Sequence, residues 1–123
     1  MSKYGLWEFG TGSGNYRPAS PNARTETAIT NEAIKKASKL YKDGVIYKIH
    51  GGGYQRSGIP DVYVGIENVS IWVEFKRPGA DTTQLQLKKL QALQKAGIYC
   101  GTAESTETFL EIIEQALKEG LGI

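Results

Sequence analysis

Residues 58–76 read Gly-Ile-Pro-Asp-Val-Tyr-Val-Gly-Ile-Glu-Asn-Val-Ser-Ile-Trp-Val-Glu-Phe-Lys. Two runs rich in Val, Ile, Tyr and Trp, at 62–66 and 71–76, are separated by four residues, which is typical of a β-hairpin. A turn centred between Glu67 and Asn68 pairs residues whose numbers sum to 135. Asp61 is therefore predicted to lie opposite Glu74.

Strand alternation predicts that Asp61, Glu74 and Lys76 share one face of this hairpin, while Val73 and Phe75 point to the other. Opposed side chains have Cβ atoms roughly 4.5–5.5 Å apart, so two carboxylates there repel each other unless a cation or a proton lies between them. A hard divalent ion bound by carboxylate oxygens would relieve the repulsion. The alternative is a Pro-Asp turn and a solvated Glu-x-Lys edge of little energetic consequence. The apolar run before Glu74 favours a central strand, where unpaired charge is costly, and hence a functional site.

Five short motifs occur in a fixed order: Ser-Gly-Ile-Pro-Asp at 57–61, Trp-Val-Glu-Phe-Lys-Arg-Pro-Gly at 72–79, Thr-Gln-Leu-Gln at 83–86, Gln-Lys-Ala-Gly at 94–97 and Thr-Ala-Glu-Ser at 102–105. This ordered set resembles a VRR-NUC domain, a branch of the PD-(D/E)xK nuclease superfamily. The resemblance covers residues 26–118, nearly the whole chain apart from an N-terminal arm. It implies a restriction-endonuclease-like core and DNA hydrolysis that depends on Mg²⁺ or Mn²⁺.

The resemblance also implies a set of metal ligands. Asp61, Glu74 and the main-chain carbonyl of Phe75 would hold the ion. In the family an acidic residue on the first helix commonly completes the site. Glu32 is the better match for that acid and Glu26 is the second candidate, although a first-turn Glu is also favoured simply by the helix dipole.

Two further side chains have roles implied by the resemblance. Lys76 would orient the attacking water and offset charge that develops on the phosphorane-like transition state. Gln86 would reach toward the active site and position Lys76 or the nucleophile. A structural explanation of Gln86 is also available, because Thr83 and Gln86 fit the Thr-x-x-Gln capping box of a helix start. Both roles can hold at once.

Length and charge set outer limits on function. A chain of 123 residues is one domain with little room for a separate recognition module. The net charge of +2 is too small to indicate nucleic-acid binding by itself. Residues 1–80 hold eleven Lys and Arg against seven Asp and Glu, whereas residues 81–123 hold four against six. The mild positive excess therefore surrounds the hairpin.

The single cysteine, Cys100, excludes an internal disulfide and suits a reducing compartment. Its apolar neighbours favour a buried structural thiol over a nucleophile.

The sequence shows neither a signal peptide nor an apolar run near the ~20 residues of a membrane span. We expect a cytoplasmic protein of a bacterial or phage-infected host cell, without a membrane partner.

Residues 1–24 form an N-terminal arm ahead of the nuclease-like domain at 25–123. The arm is rich in Gly, Ser, Pro and Asn, yet it carries Tyr4, Trp7, Phe9 and Tyr16. Aromatic residues at this density usually dock on protein, either the domain itself or a partner subunit. Stacking on nucleic-acid bases is the alternative.

A first helix is predicted over residues 25–42, where four apolar residues fall at helical spacing: Ile29, Ala33, Ala37 and Leu40. The opposite side carries four lysines: Lys35, Lys36, Lys39 and Lys42. This side is either a solvated face or a phosphate-contacting face. We take Lys36 from it as a candidate DNA contact.

A strand over residues 45–50 runs into a glycine-rich segment at 51–58. No Gly-Lys-Ser/Thr follows, which excludes a P-loop. A loop at the mouth of the site would let a phosphodiester backbone approach closely. Candidate DNA contacts here and beyond the hairpin are Lys48, Tyr54, Arg56 and Arg77. The lone His50 is expected to be structural or DNA-contacting rather than a metal ligand.

The rest of the chain completes an α-β-β-β-α-β-α order. A second helix is predicted over 83–96, with Leu87, Leu90 and Leu93, along with Leu85 and Ala96, on its buried side. A short buried strand follows at 98–101 and a last helix at 106–119. The order predicts an α/β protein with a mixed sheet flanked by helices, in which residues 71–101 form a parallel crossover.

The combined prediction is a Mg²⁺- or Mn²⁺-dependent DNA endonuclease. Because a small domain carries one active site, coherent cutting of two strands calls for a symmetric homodimer. Standalone VRR-NUC proteins resemble Holliday-junction resolvases, so the resemblance implies branched DNA as substrate. The alternatives are a sequence-specific or non-selective nuclease, a catalytically silent DNA-binding module, and a structural domain without a nucleic-acid role.

Overall fold

The computed structural model describes residues 24–49 and 58–122. Within these ranges the chain forms a four-stranded mixed sheet and three helices, in the predicted order. The helices are α1 (Glu26–Leu40), α2 (Gln84–Lys95) and α3 (Thr106–Leu121), and the strands are β1 (Val45–Lys48), β2 (Val62–Ile66), β3 (Val69–Phe75) and β4 (Tyr99–Ala103). The predicted α/β fold class is confirmed.

The sheet has the strand order β1-β2-β3-β4, which places β2 and β3 in its interior. β1 pairs with β2, and β2 with β3, in antiparallel fashion, whereas β3 and β4 are parallel, as predicted for a strand-helix-strand unit. Val62 pairs with Val73, so the predicted hairpin register is confirmed. The two turn residues, Glu67 and Asn68, have φ values of 48° and 71°. Positive φ at both central positions is the geometry of a type I′ turn, which matches the twist of the strands.

One face of the sheet forms the core, covered by α1 and α3. The sheet contributes alternate residues of the hairpin, and both helices contribute one apolar stripe; the fully buried members include Ala33, Ala37, Val62, Val64, Ile71, Val73, Phe75, Phe109 and Ile113. Leu40 was predicted to belong to the buried stripe of α1, but it is 61% exposed. The reason is its position as the last residue of the helix, beyond the reach of the sheet.

The other face is covered by α2 where it packs on β4. Leu90 of α2 is fully buried, and the thiol of Cys100 donates a hydrogen bond to its carbonyl at 3.4 Å. The prediction of a buried thiol is confirmed, and burial raises the pKa of Cys100 to about 12. The prediction that Leu85 and Ala96 are buried is wrong, because a helix resting on one strand buries a narrow row of side chains.

Element boundaries differ from prediction by up to two residues. Thr25 is the N-cap of α1 rather than its first residue, and β4 extends to Ala103 because its pairing with β3 continues to Phe75. His50, the glycine-rich segment up to residue 57 and most of the N-terminal arm lie outside the described residues. Within residues 24–49 and 58–122, none of the helices has both the length and the apolar character needed to cross a bilayer.

Candidate metal centre and active site

Three carboxylates meet at one end of the sheet. Glu26 is the first residue of α1, Asp61 immediately precedes β2, and Glu74 is the penultimate residue of β3. One oxygen from each lies within 4.8 Å of an oxygen of the other two. We call these residues the acidic trio. The hairpin register brings Asp61 and Glu74 together, and the N-terminus of α1 supplies the third member.

Asp61 is fixed by its backbone and its side chain. Its carbonyl accepts a hydrogen bond from Ile49 N at 2.7 Å, just beyond the end of β1. Its Oδ2 accepts a hydrogen bond from Phe75 N at 2.8 Å. The carboxylate is therefore tied to the same short segment of β3 that carries Glu74, which holds the two acidic groups at a constant separation.

Glu74 is the most enclosed member of the trio, with 2% of its surface exposed. Its Oε2 accepts a hydrogen bond from Gln86 Nε2 at 2.8 Å and lies 3.6 Å from Nζ of the buried Lys76. Its Oε1 accepts no hydrogen bond from a donor among the described residues, although a hydrogen bond shared with the Asp61 carboxyl group contributes to the raised pKa of Glu74. A buried carboxylate oxygen without a donor is costly, so this atom is the part of the site that most needs a ligand.

Gln86 has two roles, as the sequence allowed. The side-chain Oε1 of Gln86 accepts a hydrogen bond from Thr83 N at 3.0 Å, and the backbone N–H of Gln86 donates to Thr83 Oγ1 at 3.2 Å. These two hydrogen bonds complete the predicted capping box. Its Nε2 then remains to donate to Glu74. The capping interaction thus orients the side-chain amide that holds the carboxylate.

The electrostatics of the acidic trio favour bound positive charge. Burial, followed by the neighbouring Asp61 carboxylate, raises the pKa of Glu74 to about 8, although Lys76 opposes the shift. Burial also raises the pKa of Asp61, against the hydrogen bond from Phe75 N and the charge of Lys76. Burial raises the pKa of Glu26 as well. A further cation between these carboxyl groups would oppose all three shifts.

A divalent ion fits this donor set. The trio offers carboxylate oxygens, the ligands that Mg²⁺, Mn²⁺ and Ca²⁺ prefer. The unpartnered Oε1 of Glu74 supplies an available lone pair, and ionisation of Asp61 and Glu74 side by side becomes favourable once a cation lies between them. The acidic trio could therefore hold a divalent metal ion.

The structure brings the second candidate acid of the first helix, rather than the first, to the other two carboxylates. Glu32, the predicted residue, forms an exposed ion pair with Arg24 and is not a member of the trio. Glu26, the second candidate, occupies that place. The sequence contained the signal, because Glu26 precedes the buried Ile29, Ala33 and Ala37 by three, seven and eleven residues and so lies on the same helix face.

The predicted DNA contacts have diverse surroundings. Lys48 is half-buried and donates to Asn31 Oδ1 at 3.4 Å, Lys36 is exposed on α1, and Arg77 Nε donates to the carbonyl of Arg24 at 3.1 Å. Tyr54 and Arg56 lie outside the described residues. These five contacts and the proposed carbonyl ligand of Phe75 stay predictions.

Thr102 is a neighbour of the site that the sequence analysis did not identify. It is the register partner of Glu74 across the parallel β3–β4 pair, and its Oγ1 is buried without a hydrogen-bond partner among the described residues. Glu74 Oε1 and Thr102 Oγ1, which both lack a hydrogen-bond donor or partner among the described residues, thus belong to register partners on adjacent strands. The register of a parallel pair separated by a helix is not readable from sequence spacing, which explains the omission.

No family model matches the sequence, and no curated protein matches it significantly. A solved structure described as a VRR_NUC domain is similar in fold, with a TM-score of 0.55 and 25% sequence identity over 68% of this chain and 92% of that chain. This neighbour has a restriction-endonuclease-like fold and supports a nuclease-type enzyme at the level of the family. The ordered motifs and this structural likeness together support a VRR-NUC domain protein.

Proposed function

We propose that the protein is a divalent-metal-dependent DNA endonuclease whose metal ligands are the acidic trio and the main-chain carbonyl of Phe75. The observation that carries the proposal is the buried Glu74 carboxyl group, which Gln86 holds at Oε2 and which has no donor at Oε1 among the described residues, beside Asp61, Glu26 and Lys76. Three carboxylates within 4.8 Å of one another, one of them buried, carry an electrostatic cost that a bound cation would relieve.

A bound divalent ion would polarise the scissile phosphate and lower the pKa of a coordinated water. The side chains of the protein have complementary tasks. Asp61 and Glu74 are fixed by hydrogen bonds from Phe75 N and Gln86 Nε2, so little reorganisation accompanies binding. Lys76 is buried, and its ammonium group lies 3.6 Å from Glu74 Oε2. From this position it would orient the attacking water and stabilise negative charge on the phosphate.

We further propose branched DNA as the substrate and a homodimer as the active form. The described residues of the domain hold one acidic trio, and coordinated cutting of two strands requires two sites related by symmetry. The metal would be Mg²⁺ or Mn²⁺, as in the nuclease family that the sequence resembles. A single buried cysteine fits a reducing compartment such as the cytoplasm.

The test compares an immobile four-way junction with a linear duplex of matched sequence, each incubated with the protein in Mg²⁺, Mn²⁺ or EDTA. Glu74→Ala and Lys76→Ala should abolish cleavage. Glu32→Ala is the matched control, because it removes an acidic residue of α1 that lies outside the trio, and it should cleave like the wild type. Circular dichroism confirms that each variant is folded.

Metal-dependent, symmetric nicks in the junction, absent from both site variants, would support the full proposal. Equal cleavage of junction and duplex would remove the branch selectivity and retain the nuclease. Binding of DNA without cleavage in either metal would contradict the enzymatic function and leave a DNA-binding module.

A further inference from the structure

An aromatic row crosses the sheet on the face opposite the core. Tyr47 of β1 pairs with Tyr63 of β2, which pairs with Trp72 of β3. The ring centroids of the two tyrosines are 6.4 Å apart, and those of Tyr63 and Trp72 are 5.3 Å apart. We call these three residues the aromatic row. Register places all three side chains on one face.

The aromatic row is open to solvent. In the described part of the chain, α2 is the helix on this face, and it packs on β4 at the far side of the sheet. Tyr47 is 58% exposed and its neighbour Val45 is 42% exposed, while Tyr63 and Trp72 are half-buried. Cross-strand contacts among these rings stabilise the sheet. Their outer faces, above all that of Tyr47, stay available to a ligand.

Tyr63 is held flat against the sheet. Its hydroxyl forms a hydrogen bond with Ser70 Oγ at 2.9 Å, and its ring lies over Gly65. A Cβ on Gly65 would be 3.2 Å from the Tyr63 hydroxyl and 3.3 Å from Cε2, so the absence of a side chain there is what permits the position. A ring fixed in this way presents its outer side to a ligand with little loss of side-chain entropy on binding.

The aromatic row lies on the same side of the sheet as Asp61 and Glu74, the two members of the acidic trio that the hairpin carries. Asp61 precedes Tyr63 by two residues and Glu74 follows Trp72 by two residues. Two residues of a strand span about 6.8 Å. Because the spacing is so short, a nucleic-acid strand whose phosphodiester lies at the trio would extend over or beside the row.

We propose that the aromatic row is a stacking site for unpaired bases that flank the cleaved phosphodiester. The row contains no charged side chain, so it suits the faces of bases rather than phosphates. Bases inside a duplex are stacked on each other and cannot offer those faces, whereas bases at a branch point or in a single-stranded tail can. This inference rests on the proposed nuclease function and gives its selectivity for branched DNA a physical origin.

The experiment measures binding in EDTA, where no metal-dependent cleavage occurs. The probes are a fluorescent duplex with a short unpaired tail, the same duplex with an abasic tail, and a blunt duplex. Tyr47→Ala removes the most exposed ring, and Tyr47→Phe is the matched control that keeps it. Tyr47→Ala should raise Kd for the tailed duplex by about 5- to 150-fold, the range expected for one lost stack, and should leave the Kd for the abasic-tailed and blunt duplexes unchanged. Tyr47→Phe should bind all three like the wild type.

Equal weakening of the normal and abasic tails by Tyr47→Ala, or no weakening of either, would overturn the inference. Sedimentation of the same variants tests the main alternative. If Tyr47→Ala converts a dimer into a monomer and leaves the preference for the tail intact, the row is an interface between two copies. The proposed nuclease function is tested separately. If the wild-type protein binds the normal tail more tightly than the abasic tail and yet cleaves no DNA in Mg²⁺ or Mn²⁺, that result would support the stacking site and contradict the nuclease function.

Discussion

The two faces of β3 carry opposite kinds of buried side chain. On one face Ile71, Val73 and Phe75 are fully buried in the core beneath α1 and α3. On the other, Glu74 and Lys76 are almost as enclosed, but they carry charge. Burial of the first set stabilises the fold, whereas burial of the second set costs free energy that their mutual attraction only partly offsets. The same strand thus contributes stability through one face and chemistry through the other.

The largest predicted effect lies on the core face. Ile71→Ala should lower the free energy of unfolding by about 2–5 kcal/mol, because it leaves a cavity in a tightly packed layer. Val45→Ala is the control, since Val45 is 42% exposed and should cost much less. Urea denaturation measures both. A loss below about 1 kcal/mol for Ile71→Ala would contradict the assignment of this face to the core.

The second prediction concerns the opposite face and has the opposite sign. The pKa of Glu74 is raised from 4.5 to about 8, so folded protein keeps a proton that unfolded protein releases. In the absence of metal, the free energy of unfolding should therefore fall as pH rises from about 4.5 to about 8. Glu74→Gln has no such carboxyl group and should be more stable than the wild type above this range.

Thermal denaturation in EDTA at pH 5 and pH 9 tests this sign. The two proteins should melt similarly at pH 5, where Glu74 is protonated, and Glu74→Gln should melt at the higher temperature at pH 9. Stabilisation of the wild type by Mg²⁺ should increase over the same pH range, because the ion binds ionised carboxylates. A wild type that is the more stable protein at pH 9 in EDTA would show that its carboxylate is well compensated without metal.

A smaller effect on stability is predicted for Gln86→Glu, which separates the two roles of this residue. Glutamate also completes a capping box, so the start of α2 should be retained and the melting temperature should change little. The variant loses the Nε2 donor to Glu74 and adds a carboxyl group beside it. DNA cleavage should fall and its pH dependence should move to higher pH. Unchanged cleavage would restrict Gln86 to capping.

The hairpin could be predicted from sequence because local rules determine it. Alternation of apolar residues and a two-residue turn give the register, and the register alone places Asp61 opposite Glu74. The capping box at Gln86 is similarly local. These features needed no knowledge of how distant elements pack.

The errors arose where tertiary packing decides the outcome. Glu26 and Glu32 are both acidic residues on α1, and only the rotation of that helix against the sheet determines which one reaches Asp61. The narrow contact of α2 with β4, which leaves Leu85 exposed, and the pairing of Thr102 with Glu74 also depend on packing between separated segments. The aromatic row required the register of three strands at once.

The central claim, that Glu26, Asp61 and Glu74 form a divalent-metal site, is tested most directly by calorimetric titration of Mn²⁺ into metal-free protein near pH 8. The wild type, Glu26→Gln, Glu74→Gln and Glu32→Gln would be compared. We predict one site per chain in the wild type and in Glu32→Gln, with binding strongly weakened in Glu26→Gln and Glu74→Gln. Equal Mn²⁺ binding by the wild type and Glu74→Gln, or loss of binding in Glu32→Gln but not in Glu26→Gln, would contradict the account.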